Sequence, residues 1–300
     1  MTDPARLAAL DVGGSHVSSA LVDRAATRLA SPVHRRDLSA DVAPDQFTAA
    51  LVAAMAAAAP DASRWGIAMP GPFDYRGGVA WFRGVGKFAQ LYGFDVRAGL
   101  AGAVGVPPDR LVFVNDADAF VLGEWSGGSL AGTRRCAGIT LGTGVGSGFV
   151  VDGHPVHSHP ALPPYGEVHE LTVDGRPLED HVSRRAIRRA FGDRTGDPSG
   201  AVDVAEIAQR ARAGDADART VLEAAFTTLG RALGPVLNAF GAERLVVGGS
   251  IAGSWPLLAP WFATGADAAG APAPPTVVAA DPEAAALIGA ARFALDATPG

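Results

Sequence analysis

Apolar positions along the chain fall in short, nearly continuous runs that end in glycine. Leu7–Asp11 is apolar up to its terminal Asp, Gly13-Gly14-Ser15 follows, and a second run covers Val17–Asp23. That pattern predicts strand, tight turn and strand. Arg28–Leu38 fits a third strand. Pro44–Ala59 is alanine-rich and helical, with Asp45 near its start where the helix dipole favours a negative charge. Trp65–Met69 reads as a fourth strand closed by Pro70-Gly71-Pro72. Asp95–Val104 reads as a helix, and Leu111–Val114 as a buried strand of β-branched and aromatic residues.

The second half repeats this grammar. Cys136–Leu141 predicts a strand, Gly142–Gly148 a glycine turn and Phe149–Asp152 a returning strand. Helical stretches follow at Ser183–Phe191, Val204–Ala213 and Asp217–Phe240, then strands at Leu245–Val247 and Thr276–Ala280, and a closing helix at Glu283–Leu295. Both halves open with strand, glycine turn and strand, so an internally duplicated α/β fold is expected. Leu245–Ala266 holds 22 residues without a charge, a length that allows a membrane span. Its Gly248, Gly249, Gly253, Pro256, Pro260 and Gly265 argue instead for a buried strand, a turn and a short helix.

Composition narrows the function. The 300 residues carry a formal charge of -6, against a main role on nucleic acid or an anionic membrane. Lys87 is the one lysine; arginine supplies the other positive charges. Cys136 is the one cysteine, which excludes an intrachain disulfide and a cysteine-built zinc site and fits a reducing cytoplasm. No apolar run near the start is long enough for a secretory signal.

Three glycine clusters each follow an apolar strand: Asp11-Val12-Gly13-Gly14-Ser15-His16, Leu141-Gly142-Thr143-Gly144-Val145-Gly146-Ser147-Gly148 and Val247-Gly248-Gly249-Ser250-Ile251. Glycine lets backbone N–H groups approach a phosphate, although any one cluster alone reads equally as a tight turn. A Walker loop is absent, since Gly86-Lys87 is followed by Phe88. The dinucleotide fingerprint fails at all three turns, and no G-x-S-x-G nucleophile elbow occurs.

Taken together the motifs resemble the ROK family of sugar kinases and related repressors, within the actin-like ATPase superfamily. Asp11–Val17 resembles that family's first phosphate loop, and Leu141–Gly146 its second. Val114-Asn115-Asp116-Ala117-Asp118-Ala119 through Leu122-Gly123-Glu124 is similar to its N-D-A-x-A-x-x-x-G-E segment. Gly166-Glu167-Val168, Gly175–Glu179 and Ser183 resemble the sugar-binding segment and its neighbour, and Val247-Gly248-Gly249 the adenosine-side turn. The chain departs from the family at Glu-x-Gly-His, where Glu167-Val168-His169-Glu170 stands. It also lacks the three zinc cysteines, and with a first strand expected from Leu7 the repressors' N-terminal helix-turn-helix is not expected.

The resemblance implies a two-lobe, actin-like (ribonuclease H-like) α/β fold with a cleft between the lobes. One lobe would be residues 1–115 with 283–300, the other 116–282. It implies an ATP-dependent, glucokinase-like transfer of a phosphoryl group to a hexose hydroxyl in the cytoplasm, with a small-molecule sugar and a nucleotide as partners. No nucleic acid and no membrane partner is expected; a homodimer stays open. Asp116 would be the general base. Asn115, Glu167, Glu179 and either His169 or Glu170 would hold the sugar. Asp11, Gly13, Gly14, Ser15, His16, Gly142, Thr143, Gly144, Gly248 and Gly249 would bind nucleotide. Mg²⁺ would arrive with ATP at Asp11, and no structural zinc is expected. A non-catalytic sugar-binding or regulatory protein and a polyphosphate-dependent kinase are the alternatives.

The bland readings compete with these. Asn115-Asp116 could cap the following helix. Glu167, His169 and Glu170 could be a solvated loop. His154, His157 and His159 have a metal-compatible spacing but lie between Pro155 and Pro160, as in an exposed loop. Arg184, Arg185, Arg188 and Arg189 recur at helical spacing and read as a solvated face, with an anion or partner surface as the alternative. The aromatic-rich stretch Trp81–Tyr92 fits a sugar-facing wall, core packing or a dimer contact.

Overall fold

A computed structural model describes residues 7–59, 61–62, 64–84, 86–197 and 199–297. The chain forms two compact units. One takes in the chain up to Ala131 and again from Asp281; the other is Gly132–Ala280.

In the first unit β1 (Leu7–Val12), β2 (His16–Val22) and β3 (His34–Asp37) run antiparallel, while β4 (Arg64–Met69) and β5 (Leu111–Asn115) extend the sheet parallel to β1. The sheet order is β3-β2-β1-β4-β5. Successive residues of β1 serve opposite faces, as the pleat requires. Ala8, Leu10 and Val12 join a core with Phe47, Leu51 and Met55 of α1 (Pro44–Ala58). Leu7 and Ala9 join a second core with Leu287, Ala290 and Ala291 of the closing helix (Pro282–Asp296). Covering both faces makes β1 apolar nearly throughout, so the polar Asp11 near its end stands out. Two further helices, α2 (Val96–Val104) and α3 (Asp116–Gly127), complete the unit.

The third strand is shorter than Arg28–Leu38. Leu29 makes only an isolated bridge to Val22, and the Leu21 N–H bonds to the Ser31 hydroxyl at 2.9 Å, so a side chain stands in for the ladder ahead of Pro32. The expected division at 115/116 lies ahead of α3, yet α3 groups with the first unit because it packs along the closing helix. That contact is very close. A Cβ on Gly289 would lie 1.7 Å from the Ala119 carbonyl oxygen, and one on Gly123 1.8 Å from that of Ala285.

The second unit repeats the plan with β6 (Arg135–Leu141), β7 (Val145–Val151), β8 (His154–Pro155), β9 (Arg244–Gly248) and β10 (Thr276–Val278) in the order β8-β7-β6-β9-β10. Again a hairpin flanks parallel strands. The helices are α4 (Glu179–Val182), α5 (Arg184–Thr195), α6 (Val204–Arg212), α7 (Ala216–Phe240) and α8 (Trp255–Ala268). Phe226, Leu229, Leu233 and Leu237 of α7 and Trp255, Leu258 and Phe262 of α8 are all buried in one core. The uncharged 245–266 segment is β9, a turn and most of α8, and no helix among the described residues is long and apolar enough to cross a membrane. The glycine turn after β6 is tighter than Gly142–Gly148: β7 starts at Val145, so Gly146 and Gly148 are strand residues paired with Thr140 and Gly138.

Candidate functional site

In the first unit the candidate residues gather at the carboxyl ends of parallel strands, the usual ligand end of such sheets. Register aligns Asp11 of β1 with Ala68 of β4, and the adjacent Met69 with Asn115 of β5. The β1–β2 turn is closed by the Gly13 N–H bonding to the His16 carbonyl at 2.9 Å. Ser15 Oγ lies 3.3 Å from His16 Nδ1, and Arg35 donates to that nitrogen at 3.1 Å. Burial, helped by the Arg35 charge, holds the His16 imidazole below its ordinary pKa.

Asn115, not Asp116, caps α3. Its Oδ1 accepts from the backbone N–H of Ala117 at 2.9 Å and of Asp118 at 3.2 Å, and its Nδ2 donates to the Tyr75 hydroxyl at 2.9 Å. Both sugar-directed functions expected of Asn115 are therefore largely engaged, and the residue acts on Asp116 by fixing the start of the helix. Asp116, as the first helical residue, accepts from the Ala117 N–H through Oδ1 at 2.9 Å. Burial lifts its carboxyl above the ordinary carboxylate range, and the Lys87 charge pulls it partly back.

Asp11 is perturbed in the same direction. Desolvation first, then the charges of Asp116 and Glu283, push it up to about 7, against the opposing pull of Lys87 and Arg35. Glu283 is itself tied into this cluster: Ser18 Oγ donates to it, Arg35 lies 3.8 Å away and His16 3.9 Å. Lys87 also borders the first turn, since a Cβ on Gly14 would sit 3.4 Å from Lys87 Cδ. Crowded carboxylates that resist ionising suit a hard divalent cation, so the oxygen set around Asp11 fits Mg²⁺. Lys87, Glu283 and Tyr75 were not among the expected site residues. Only the fold brings them to Asp11 and Asn115, although a sole lysine beside a glycine was a usable signal.

In the second unit the two remaining glycine turns are neighbours, because β6 and β9 are adjacent and parallel, with Gly248 beside Thr140. The Gly142 N–H bonds to the Gly144 carbonyl at 3.0 Å, and the Ile251 N–H to the Leu141 carbonyl at 3.0 Å. Gly249 has φ +85°, and a Cβ there would lie 2.4 Å from the Leu141 carbonyl oxygen, so only glycine fits. Thr143 is the central residue of the Gly142–Gly144 turn.

Glu179 belongs with this turn. Its Oε2 accepts from Val145 N–H at 3.1 Å and would lie 2.7 Å from a Cβ on Gly144. Its expected place was the sugar set; the structure gives it a part in shaping the second glycine turn. Glu167, His169 and Glu170 do come together, with one ligand-capable atom of each within 4.8 Å of the others. Glu167 and Glu170 are exposed and His169 is half-buried. Ser147 anchors their loop, donating to the Gly166 carbonyl at 2.7 Å and accepting from Val168 N–H at 3.1 Å. These three form the only such metal-capable group among the described residues. His154 instead lies 2.9 Å from the Asp152 carbonyl through Nδ1, and His159 accepts from Ala161 N–H at 3.1 Å.

Two α/β units with one strand plan, glycine turns at the carboxyl ends of parallel strands and a half-buried acid at a helix start define an actin-like fold of the sugar-kinase type. The chain belongs to the ROK family, whose sequence model it matches over residues 7–297. It is similar to a ROK hexokinase structure from Thermus thermophilus, at 26% identity and TM-score 0.78 over 96% of this chain and 97% of that one. It is also similar to an inorganic polyphosphate/ATP-glucomannokinase from Arthrobacter sp. strain KM, at 25% identity and TM-score 0.67 over 96% and 97%. A glucokinase from Thermotoga maritima is 28% identical over 207 residues, 62% of this chain and 63% of that protein. The curated relatives it matches are covered over 46, 63 and 48% of their own length.

Proposed function

We propose that this protein is an ATP-dependent hexose kinase that uses Asp116 as general base. The observation that supports it most is the division of labour at the start of α3: Asn115 takes the capping bonds, and Asp116 beside it is a half-buried acid with a raised pKa near Lys87. A carboxylate held above its ordinary pKa is a stronger base, better matched to removing a proton from a sugar hydroxyl.

Transfer forms a bond from the sugar oxygen to the terminal phosphorus and breaks that phosphorus from its bridging oxygen. The hydroxyl proton passes to Asp116 and ADP leaves. The Gly142–Gly144 and Gly248–Gly249 turns present backbone to the nucleotide's phosphates and adenosine side. Asp11 would hold Mg²⁺, which when bound neutralises phosphate charge. Glu167 and His169 hold the sugar hydroxyls by accepting and donating hydrogen bonds.

Purified protein given Mg-ATP and a panel of hexoses should release ADP and form a sugar phosphate with at least one of them. The departure Glu167-Val168-His169-Glu170 favours a second reading, a sugar-binding protein without turnover. Calorimetric sugar binding without ADP release would select it.

A further inference from the structure

The aromatic stretch Trp81–Tyr92 divides by burial. Phe82 and Phe88 are buried, their rings meeting edge to face at 5.3 Å, and Phe88 also packs on Phe47 of α1 at 5.6 Å. Lys87 lies between these anchors in sequence and is half-buried. The backbone on either side of it is left-handed, with φ +70° at Gly86 and +57° at Phe88. Glycine adopts that conformation freely, but phenylalanine does so where its surroundings enforce it. Here a fully buried ring and a bond from the Phe88 N–H to the Ala40 carbonyl enforce it. An enforced conformation of this kind beside a candidate site is a reason to ask what its neighbour is aimed at.

Lys87 is aimed across the first glycine turn. Its side chain passes over Gly14, with Cδ 3.4 Å from where a Cβ would stand. Its charge acts on both Asp11 and Asp116, opposing the rise that burial imposes on each carboxyl. Among the described residues, however, the ammonium makes no hydrogen bond and no ion pair. A lysine that served only as a counter-ion would close on one of the two acids. Lys87 instead holds three N–H donors uncommitted beside an acid pair and a phosphate-type turn. Building on the kinase reading above, we propose that Lys87 is a further catalytic residue, whose ammonium donates to the non-bridging oxygens of the phosphoryl group in transit. Those oxygens carry the charge of the group being transferred, and a compact cation fixed beforehand stabilises it with little reorganisation. The sugar oxygen–phosphorus bond forms as the bridging bond breaks, the hydroxyl proton goes to Asp116, and Lys87 stays protonated throughout.

Two experiments on the full chain test this. The unaltered protein is treated with the N-hydroxysuccinimide ester of acetate, and acetylation at Lys87 is followed by peptide mass spectrometry against the N-terminal amine. Lys87 is the one lysine, so no other side-chain amine competes. Saturating Mg-ATP should slow acetylation of Lys87 by about tenfold or more, whereas Mg-ADP, which lacks the group to be transferred, should slow it by less than about threefold. In steady-state kinetics Lys87→Gln should lower kcat by about 10²–10³ with the sugar Kd within about threefold, and Lys87→Arg should recover about tenfold of that loss. Equal protection by both nucleotides overturns the proposal in favour of a counter-ion role, and protection by neither overturns it outright. Turnover by Lys87→Gln within about tenfold of the unaltered protein also overturns it. Sugar phosphorylation without ATP-selective protection overturns the role of Lys87 and leaves the kinase reading standing. Selective protection with no sugar phosphate from any hexose supports the contact with the terminal phosphate, but overturns the transfer role and the kinase reading with it. Where Lys87→Gln fails to fold, the labelling of the unaltered protein decides.

Discussion

At the scale of single residues, Asp11 makes the sharpest statement. Its native pKa of about 7 lies above the ordinary 3.8, so the folded protein holds that proton more tightly than the unfolded chain. Stability from this group is present at low pH and is lost as pH rises from about 4 through 7. Asp11→Asn, which mimics the protonated acid, should leave Tm little changed at pH 4.5 and raise it at pH 8. About 1 kcal/mol recovered corresponds to roughly 2–4 °C in a unit of this size. The same variant should lose activity if Asp11 serves Mg-nucleotide. Thermal scans at the two pH values check the first part, and equal Tm shifts at both would contradict it. His169 and Glu170 separate in a similar way. His169 is half-buried and can donate to a sugar oxygen, whereas Glu170 is exposed and, when ionised, only accepts. His169→Ala should raise sugar KM by about tenfold or more and Glu170→Ala by less than about threefold. Steady-state kinetics reads the ranking, and the reverse order would place Glu170 against the sugar.

Elements are joined here through very small residues. Gly289 of the closing helix approaches the α3 backbone so closely that Gly289→Val must push two helices apart, an overpacking cost of about 1–3 kcal/mol or more. Tm should fall by about 5 °C or more, and an unchanged Tm would mean that the contact is not made. At the second glycine turn, Gly144→Val should displace the Glu179 carboxylate from Val145 N–H. Donor KM should rise about tenfold or more with far-ultraviolet circular dichroism unchanged; an unaltered donor affinity would remove this turn from the site. The elements themselves were legible in advance where two signals agreed. The strand–glycine–strand openings of both halves carried short, nearly continuous apolar runs together with turn residues. Where one signal stood alone it misled. Gly146 and Gly148 look like turn residues but sit in β7, because the hairpin ladder to β6 tolerates glycine on a strand. Leu29 to Pro32 look strand-like, but their pairing is broken by a serine hydroxyl and a proline.

For the whole molecule, the duplicated plan was readable from the repeated glycine turns, and the two sheets do share one strand order. The composition of the candidate site was less readable, because Lys87, Tyr75 and Glu283 lie far from Asp11 and Asn115 in sequence and meet them only through strand register and the return of the closing helix. Equally, nothing local told Asn115 from Asp116 as the cap of α3; the answer came from which side chain the Ala117 and Asp118 N–H groups reach. That distinction is also what makes Asp116 available for chemistry. The most direct measurement is therefore turnover and sugar affinity of Asp116→Asn beside the unaltered protein, with Mg-ATP and the hexose it phosphorylates best. The amide keeps the shape but cannot take the proton, so kcat should fall by roughly 10²–10⁴ while the sugar Kd from calorimetry stays within about threefold. Ordinary turnover by Asp116→Asn would contradict the account.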